Sequence, residues 1–235
     1  MSRRGKWLVA VPAAVLVAVV GGTWLYVHVV QGDAPAALTL SDTPGATTTG
    51  TSGASGTSGT AAGAWTVTAG SQAGYRVQEV LFGQHTTAVG RTSKVTGSLT
   101  LAGATVSAAT FTVDMASVES DKSRRDSQYR GRIMATGEFP TSTFALSEPI
   151  PLGSLPADGA TVTATATGDL TLRGVTRPVT FAVKARRSGD RMEVTGSIPV
   201  AFGDWGIPSP SFGPAEVEDH GDVEFLLVLR PGSGS

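Results

Sequence analysis

From Trp65 to Arg230 the chain alternates apolar and small or polar residues with a period of two. Phe111/Val113/Met115, Val162/Ala164/Ala166, Met192/Val194/Ile198/Val200 and Val223/Phe225/Leu227/Leu229 each place their apolar members on one face of an extended strand. Strand-like runs are read at Trp65–Ala69, Tyr75–Phe82, Val89–Leu101, Thr105–Val118, Ser142–Ser147, Thr161–Leu172, Val179–Arg187, Arg191–Phe202 and Val217–Arg230, separated by Gly-rich turns such as Ser188-Gly189-Asp190. One helix is expected, near Asp121 to Ile133, with Ser120 as its N-cap and Asp121 in its first turn. Regular strands with a single helix point to an all-β antiparallel barrel or sandwich.

The sharpest local signal is Gly168-Asp169-Leu170-Thr171-Leu172-Arg173-Gly174-Val175-Thr176-Arg177-Pro178-Val179. It reads as a strand, a tight Arg173-Gly174 turn and a second strand. Gly174 is expected at positive φ, and Pro178 at a strand start or edge because it lacks a ladder donor.

Several inward candidates are small: Ala164, Ala166, Gly168 and Gly196. An eight-stranded barrel either fills its interior with side chains or holds one ligand. Small residues beside scattered Phe and Met suit a cavity, and equally suit the taper of a filled barrel.

Upstream, Arg3, Arg4 and Lys6 precede the almost uncharged run Trp7–Val30. About 24 residues span roughly 36 Å as a helix, enough to cross a bilayer. The flanking cations would keep residues 1–6 cytoplasmic and the rest of the chain outside. A cleaved signal peptide is the rival reading, although the run is long for one and no small-x-small site directly follows. Residues 31–63 read as a linker, almost pure Thr, Gly, Ser and Ala from Thr47 onward. Such a stretch lacks the apolar surface to offset its chain entropy. The remainder divides into a domain over 64–230 and a tail over 231–235.

Cysteine is absent, which removes disulfides, thiolate metal sites, cysteine nucleophiles and a lipidated cysteine. With 18 basic and 19 acidic residues, no broad field exists to steer a nucleic acid. His85 and His220 have no histidine or cysteine at metal-ligand spacing, and the acidic run Glu216–Asp222 lacks the pattern of a calcium loop. No Gly-x-Ser-x-Gly, phosphate-binding or dinucleotide fingerprint occurs. Neither a cofactor nor an enzymatic activity is expected. Arg124, Arg125, Asp126, Arg130 and Arg132 suit a prenyl phosphate, or equally the wet face of a helix paired with its own carboxylates.

These motifs together resemble the YceI-like family, the polyisoprenoid-binding proteins of the bacterial envelope. Gly168–Val179 is similar to the family's Leu-Thr-Leu-x-Gly-Val-Thr-Lys/Arg-Pro-Val signature. Trp65-Thr66-Val67, Arg125-Asp126, Phe139-Pro140-Thr141-Ser142-Thr143-Phe144 and Asp222-Val223-Glu224-Phe225 fall in the family's order. After Asp126 the pattern departs, with Ser127-Gln128-Tyr129 where the family has a leucine. The resemblance covers about Ala64 to Arg230. It implies a lipocalin-like eight-stranded barrel around an apolar cavity for a long isoprenoid, with no catalytic residues. The residues expected to line it are Tyr75, Phe82, Phe111, Met115, Phe144, Ala164, Ala166, Phe181, Phe202 and Trp205. Trp205, in a rim-like loop, is expected either to cover the ligand or to plug the barrel end. The function implied is membrane-tethered, extracytoplasmic binding, sequestration or transport of a polyisoprenoid or quinone-like lipid. The alternative is an envelope interaction module with a filled barrel and a protein partner.

Overall fold

The computed structural model describes residues 34–41, 62–81, 83–153, 157–211 and 215–232. Its strands are β1 (Gly63–Val67), β2 (Gln72–Leu81), β3 (Gln84–Thr92), β4 (Val95–Ala102), β5 (Thr105–Asp114), β6 (Glu119–Ser120), β7 (Thr141–Leu146), β8 (Ile150–Pro151), β9 (Thr161–Leu172), β10 (Val175–Ser188), β11 (Arg191–Ala201), β12 (Ala215–Val217) and β13 (His220–Pro231). Among the described residues the single α-helix, α1, spans Ser123–Gln128 and runs into a wider helical turn over Tyr129–Ile133. The anchor expected at Trp7–Val30, residues 31–33 and 42–61 of the expected linker, and residues 233–235 of the tail lie outside the described residues. Among the described residues, no helix is long and apolar enough to cross a membrane.

The strands close into one antiparallel barrel. β1 and β2 are halves of one kinked strand, both paired with β13: Trp65–Val67 against Leu229–Pro231, and Gln72–Leu226 through Arg76–Asp222. Buried Ser71 bridges the kink, its Oγ accepting from Val228 N–H at 2.8 Å. β3 and β4 are likewise halves of one strand, bent at Ser93-Lys94, with Lys94 N–H donating to Thr92 Oγ1. The ring then runs through β5, β7, β9, β10 and β11 back to β13, which makes eight staves. Closure leaves no long free edge, the usual hazard of a β-sheet.

The Arg173-Gly174 hairpin forms as expected, with β9 and β10 in register from Leu172–Val175 to Thr161–Arg186. Gly174 has φ +75°, and Arg173 is also left-handed at +48°. Two successive positive φ values are the mark of a turn whose twist matches its strands. Pro178 pairs with Asp169 of β9, whereas β11 joins β10 only from Val183 onward. Its missing N–H therefore faces a stretch of β10 with one neighbour, which is how a mid-strand proline is tolerated. The short turn Phe202–Trp205 and Gly206 lie beside this stretch. Arg173 Nη1 donates to the Gly206 carbonyl at 2.7 Å, and Arg177 Nε to that of Asp204.

Three expectations are corrected. The helix is shorter than Asp121–Ile133, and Lys122 rather than Ser120 occupies its N-cap, without a side-chain bond. Ser120 is drawn into β6 opposite Gly90, two residues too early to cap. Gly168 and Gly196 do face inward but open no space. A Cβ at Gly168 would meet Phe144 Cζ at 2.5 Å, and one at Gly196 would meet Phe225 Cζ at 2.8 Å. Aromatic rings from neighbouring strands fill the places of the missing methyls. Ala34–Ser41, assigned by composition to a free linker, lies against the outer wall. Its Pro35 carbonyl accepts from Arg76, its Leu38 carbonyl from Thr195 Oγ1, and its Ser41 N–H and Oγ both donate to Glu193.

Candidate functional site: an apolar tube with a polar mouth

Inward residues of the eight staves enclose two abutting cavities. The lower one, toward the β9 N-terminal end, is about 150 Å³ and lined by Leu99, Leu101, Phe111, Phe144, Ala164, Ala166, Phe181, Met192 and Leu227 among others. The upper one, beneath α1, is about 470 Å³ and lined by Tyr75, Val77, Leu81, Met115, Tyr129, Val200 and Phe202 among others. Ala73, Val113, Ser142 and Val223 line both, so the two meet inside the barrel. The upper cavity alone falls in the usual size range of small-ligand pockets, about 300–1,000 Å³.

Aromatic rings shape the tube. Phe181 meets Phe144 and Phe225 edge-on, at centroid distances of 5.4 and 6.0 Å. These edge-to-face contacts suit the ring quadrupoles. Tyr75 stacks on Tyr129 at 5.2 Å, linking β2 to the helical cap. Burial pushes the Tyr75 hydroxyl up to about 12, against a smaller downward pull from Arg125 and an upward push from Asp126. Tyr129 is shifted up as well, first by burial and then by Tyr75. Both phenols are thus neutral at ordinary pH.

Of the residues expected to line the site, Phe111, Phe144, Ala164, Ala166 and Phe181 border the lower cavity, and Tyr75, Met115 and Phe202 the upper one. Phe82 lies outside the described residues. Trp205 borders neither cavity: it is buried in the core cluster, its indole N–H reaching the Leu170 carbonyl at 3.4 Å. It therefore covers no space in either cavity.

The arginines near α1 do not converge on one point. Arg125 Nη2 donates to Glu79 Oε1 at 3.0 Å, while Nη1 bonds Asp121. Burial works against the Arg125 charge, but Glu79 and Asp121 outweigh it and raise its pKa. Arg130 reaches the Val118 carbonyl and Arg132 the Ser209 carbonyl. Asp126, buried, accepts from Ser120 N–H at 2.9 Å and from Ser120 Oγ at 2.6 Å, which ties α1 to β6. A five-residue phosphate cradle is therefore not assembled. Lys122, Arg124 and Arg125 do border the upper cavity.

Sequence reasoning does not single out several lining residues, among them Leu99, Leu101, Met192, Leu227, Val77, Leu81 and Tyr129, and it passes over a buried carboxylate, Glu79. Glu79 shares the inward parity of Tyr75, Val77 and Leu81 on β2, and it borders the upper cavity with 7% of its surface exposed. A charge on the apolar parity of a strand was the signal that could have found it.

The YceI-like domain family model matches residues 65–229. A UPF0312 protein of Pseudomonas paraeruginosa is 34% identical over 126 residues, covering 51% of this chain and 59% of that protein. The matched part is thus less than two thirds of that relative's length. Among solved structures, a polyisoprenoid binding domain from Saccharophagus degradans, implicated in plant cell wall breakdown, superposes with a TM-score of 0.59 at 16% identity. That match covers 73% of this chain and 99% of that one. BcnA of Burkholderia cenocepacia superposes with a TM-score of 0.50 at 22% identity, covering 66% and 95%. At these identities the likeness is one of fold.

Proposed function

The chain belongs to the YceI-like family, and from its hollow barrel we propose that it binds a long apolar lipid of the polyisoprenoid class along the barrel axis. The observation that carries the reading is the pair of abutting cavities, walled by aliphatic and aromatic side chains inside a closed barrel. Each CH₂ taken from water into such a wall contributes about 0.8 kcal/mol. A long chain therefore gains affinity from length alone, without a strong charged site. β9 has 12 residues, and a strand of that length spans roughly 40 Å, or about 30 Å along the axis once tilted. That suits an extended chain better than a compact ligand. The binding named for the Saccharophagus domain supports the same ligand class.

In this reading the protein carries or sequesters its lipid and catalyses nothing. The apolar run Trp7–Val30 and the Thr/Gly/Ser/Ala-rich stretch after it support a membrane-tethered barrel on the extracytoplasmic side. The experiment is native mass spectrometry of full-length protein purified from its own membranes, followed by solvent extraction. A stoichiometric long-chain isoprenoid supports the proposal. A barrel that arrives empty and takes up no isoprenoid on reconstitution overturns it, and leaves the interaction module in its place.

A further inference from the structure

We propose that the Glu79–Arg125 pair at the mouth of the upper cavity selects lipids whose head is a neutral hydrogen-bond donor, a hydroxyl above all, and rejects anionic heads such as phosphate. The inference rests on the lipid-binding reading above and adds the chemistry of the head.

Glu79 shares the inward parity of the apolar Tyr75, Val77 and Leu81 on β2 and borders the upper cavity. A carboxylate placed there is costly unless donors satisfy its oxygens. Arg125 Nη2 supplies one bond, to Oε1 at 3.0 Å, and the carboxylate borders the upper cavity, within reach of a head that enters there. An O–H head can donate to it. A quinone carbonyl has no proton to give, and a phosphate would bring like charge against Glu79 at the point of entry.

The cations nearby do not reverse this sign. Arg125 is already held on two sides, by Glu79 and by Asp121. Lys122 lies 3.5 Å from Asp121. Arg124 borders the same mouth, so the local set of Lys122, Arg124 and Arg125 is matched by Glu79, Asp121 and Asp126. A site built for phosphate leaves its arginine forks open toward the ligand. Of the two arginines at this mouth, Arg125 has its fork closed onto carboxylates. Neutral Tyr75 and Tyr129 stand behind it and add no charge of either sign.

The test uses full-length protein stripped of lipid and offered three probes of comparable chain length: geranylgeraniol, geranylgeranyl phosphate and a head-free C20 isoprenoid hydrocarbon. Wild type is expected to hold the alcohol at least tenfold tighter than the phosphate. In Glu79→Gln that ratio should fall to about threefold or less, with hydrocarbon affinity unchanged. Should Glu79→Gln fail to fold because Arg125 loses its buried partner, the double variant Glu79→Gln/Arg125→Gln removes both charges and should show the same loss of selectivity. A wild-type protein that binds phosphate as tightly as alcohol overturns the inference while lipid binding stands. So does selectivity unchanged in both variants. Binding of none of the three probes would instead defeat the lipid-binding reading itself.

Discussion

Replacing Gly174 by valine tests the hairpin that closes one end of the barrel. Two costs add. The first is backbone: Gly174 sits at φ +75°, and a non-glycine residue in left-handed geometry costs about 1–2 kcal/mol, more when β-branched. The second is steric: an ideal Cβ at Gly174 lies 2.5 Å from Phe139 Cε1 and 2.9 Å from Cδ1. The ring cannot retreat freely, since the Arg173 guanidinium lies 5.8 Å over it. Overpacking of this kind costs about 1–3 kcal/mol. The sum, roughly 2–5 kcal/mol, should lower the melting temperature by about 4–20 °C in a domain of this size. Equilibrium denaturation of Gly174→Val, Phe139→Ala and the double variant separates the two parts. With the ring removed, the valine should cost only about 1–2 kcal/mol, so the cycle should show coupling of at least 1 kcal/mol. A wild-type midpoint for Gly174→Val refutes the turn assignment. Strict additivity refutes the contact with Phe139.

Two further outcomes follow from the outer wall. Glu224 is buried between Arg76 at 3.1 Å and Arg91 at 2.6 Å, so Glu224→Ala leaves two partly buried cations unpaired. It should lower stability by about 2–4 kcal/mol in urea melts, whereas Glu218→Ala, at an exposed pair, should stay within about 0.5 kcal/mol. Glu193 titrates below the ordinary carboxylate range. Its burial acts to raise it, but hydrogen bonds from Arg191 and Ser41 prevail. A depressed folded-state value means that this stabilisation is fully present above about pH 4.5 and is lost as pH falls through the folded value. Hydrogen-exchange protection factors over Ala34–Ser41, corrected for the intrinsic rate at each pH, should therefore fall as the pH drops through the folded value, below about pH 4.5. Glu193→Gln should release the segment at neutral pH and remove that pH dependence.

The parts legible in sequence were those in which the side chain itself carries the geometric constraint. Gly174 and Pro178 announced the hairpin because positive φ and a missing donor are properties of those two residues. β9, β11 and β13 alternated cleanly and were found to within a few residues. β3 was missed at its start because Gln84-His85-Thr86-Thr87 is polar on both faces, leaving no period to read. The run Val89–Leu101 reads as one strand because the bend at Ser93-Lys94 is held by Thr92 Oγ1 and the backbone rather than by a Gly or Pro. The Ala34–Ser41 contact was invisible for a similar reason. Most of its bonds use backbone carbonyls, at Pro35, Ala36, Leu38 and Ser41, and a carbonyl is present whatever the side chain. At the candidate site, composition left a filled and a hollow barrel open. Ala164 and Ala166 line the cavity while Gly168 and Gly196 are filled by Phe144 and Phe225, a distinction set by neighbouring strands rather than by the small residues themselves.

The central claim is that the barrel interior is a lipid site, and lipid retained per barrel in Ala166→Trp against wild type tests it most directly. Ala166 lines the lower cavity opposite Phe181, with 3% of its surface exposed. The indole should occupy space that the lipid needs, while the cavity absorbs much of the added volume, so the folding cost should stay under about 3 kcal/mol. Retained isoprenoid should fall at least tenfold, whereas Lys184→Ala, on the exposed face of β10, should leave it unchanged. A wild type that carries no lipid, beside an Ala166→Trp protein that fails to fold, would contradict the account.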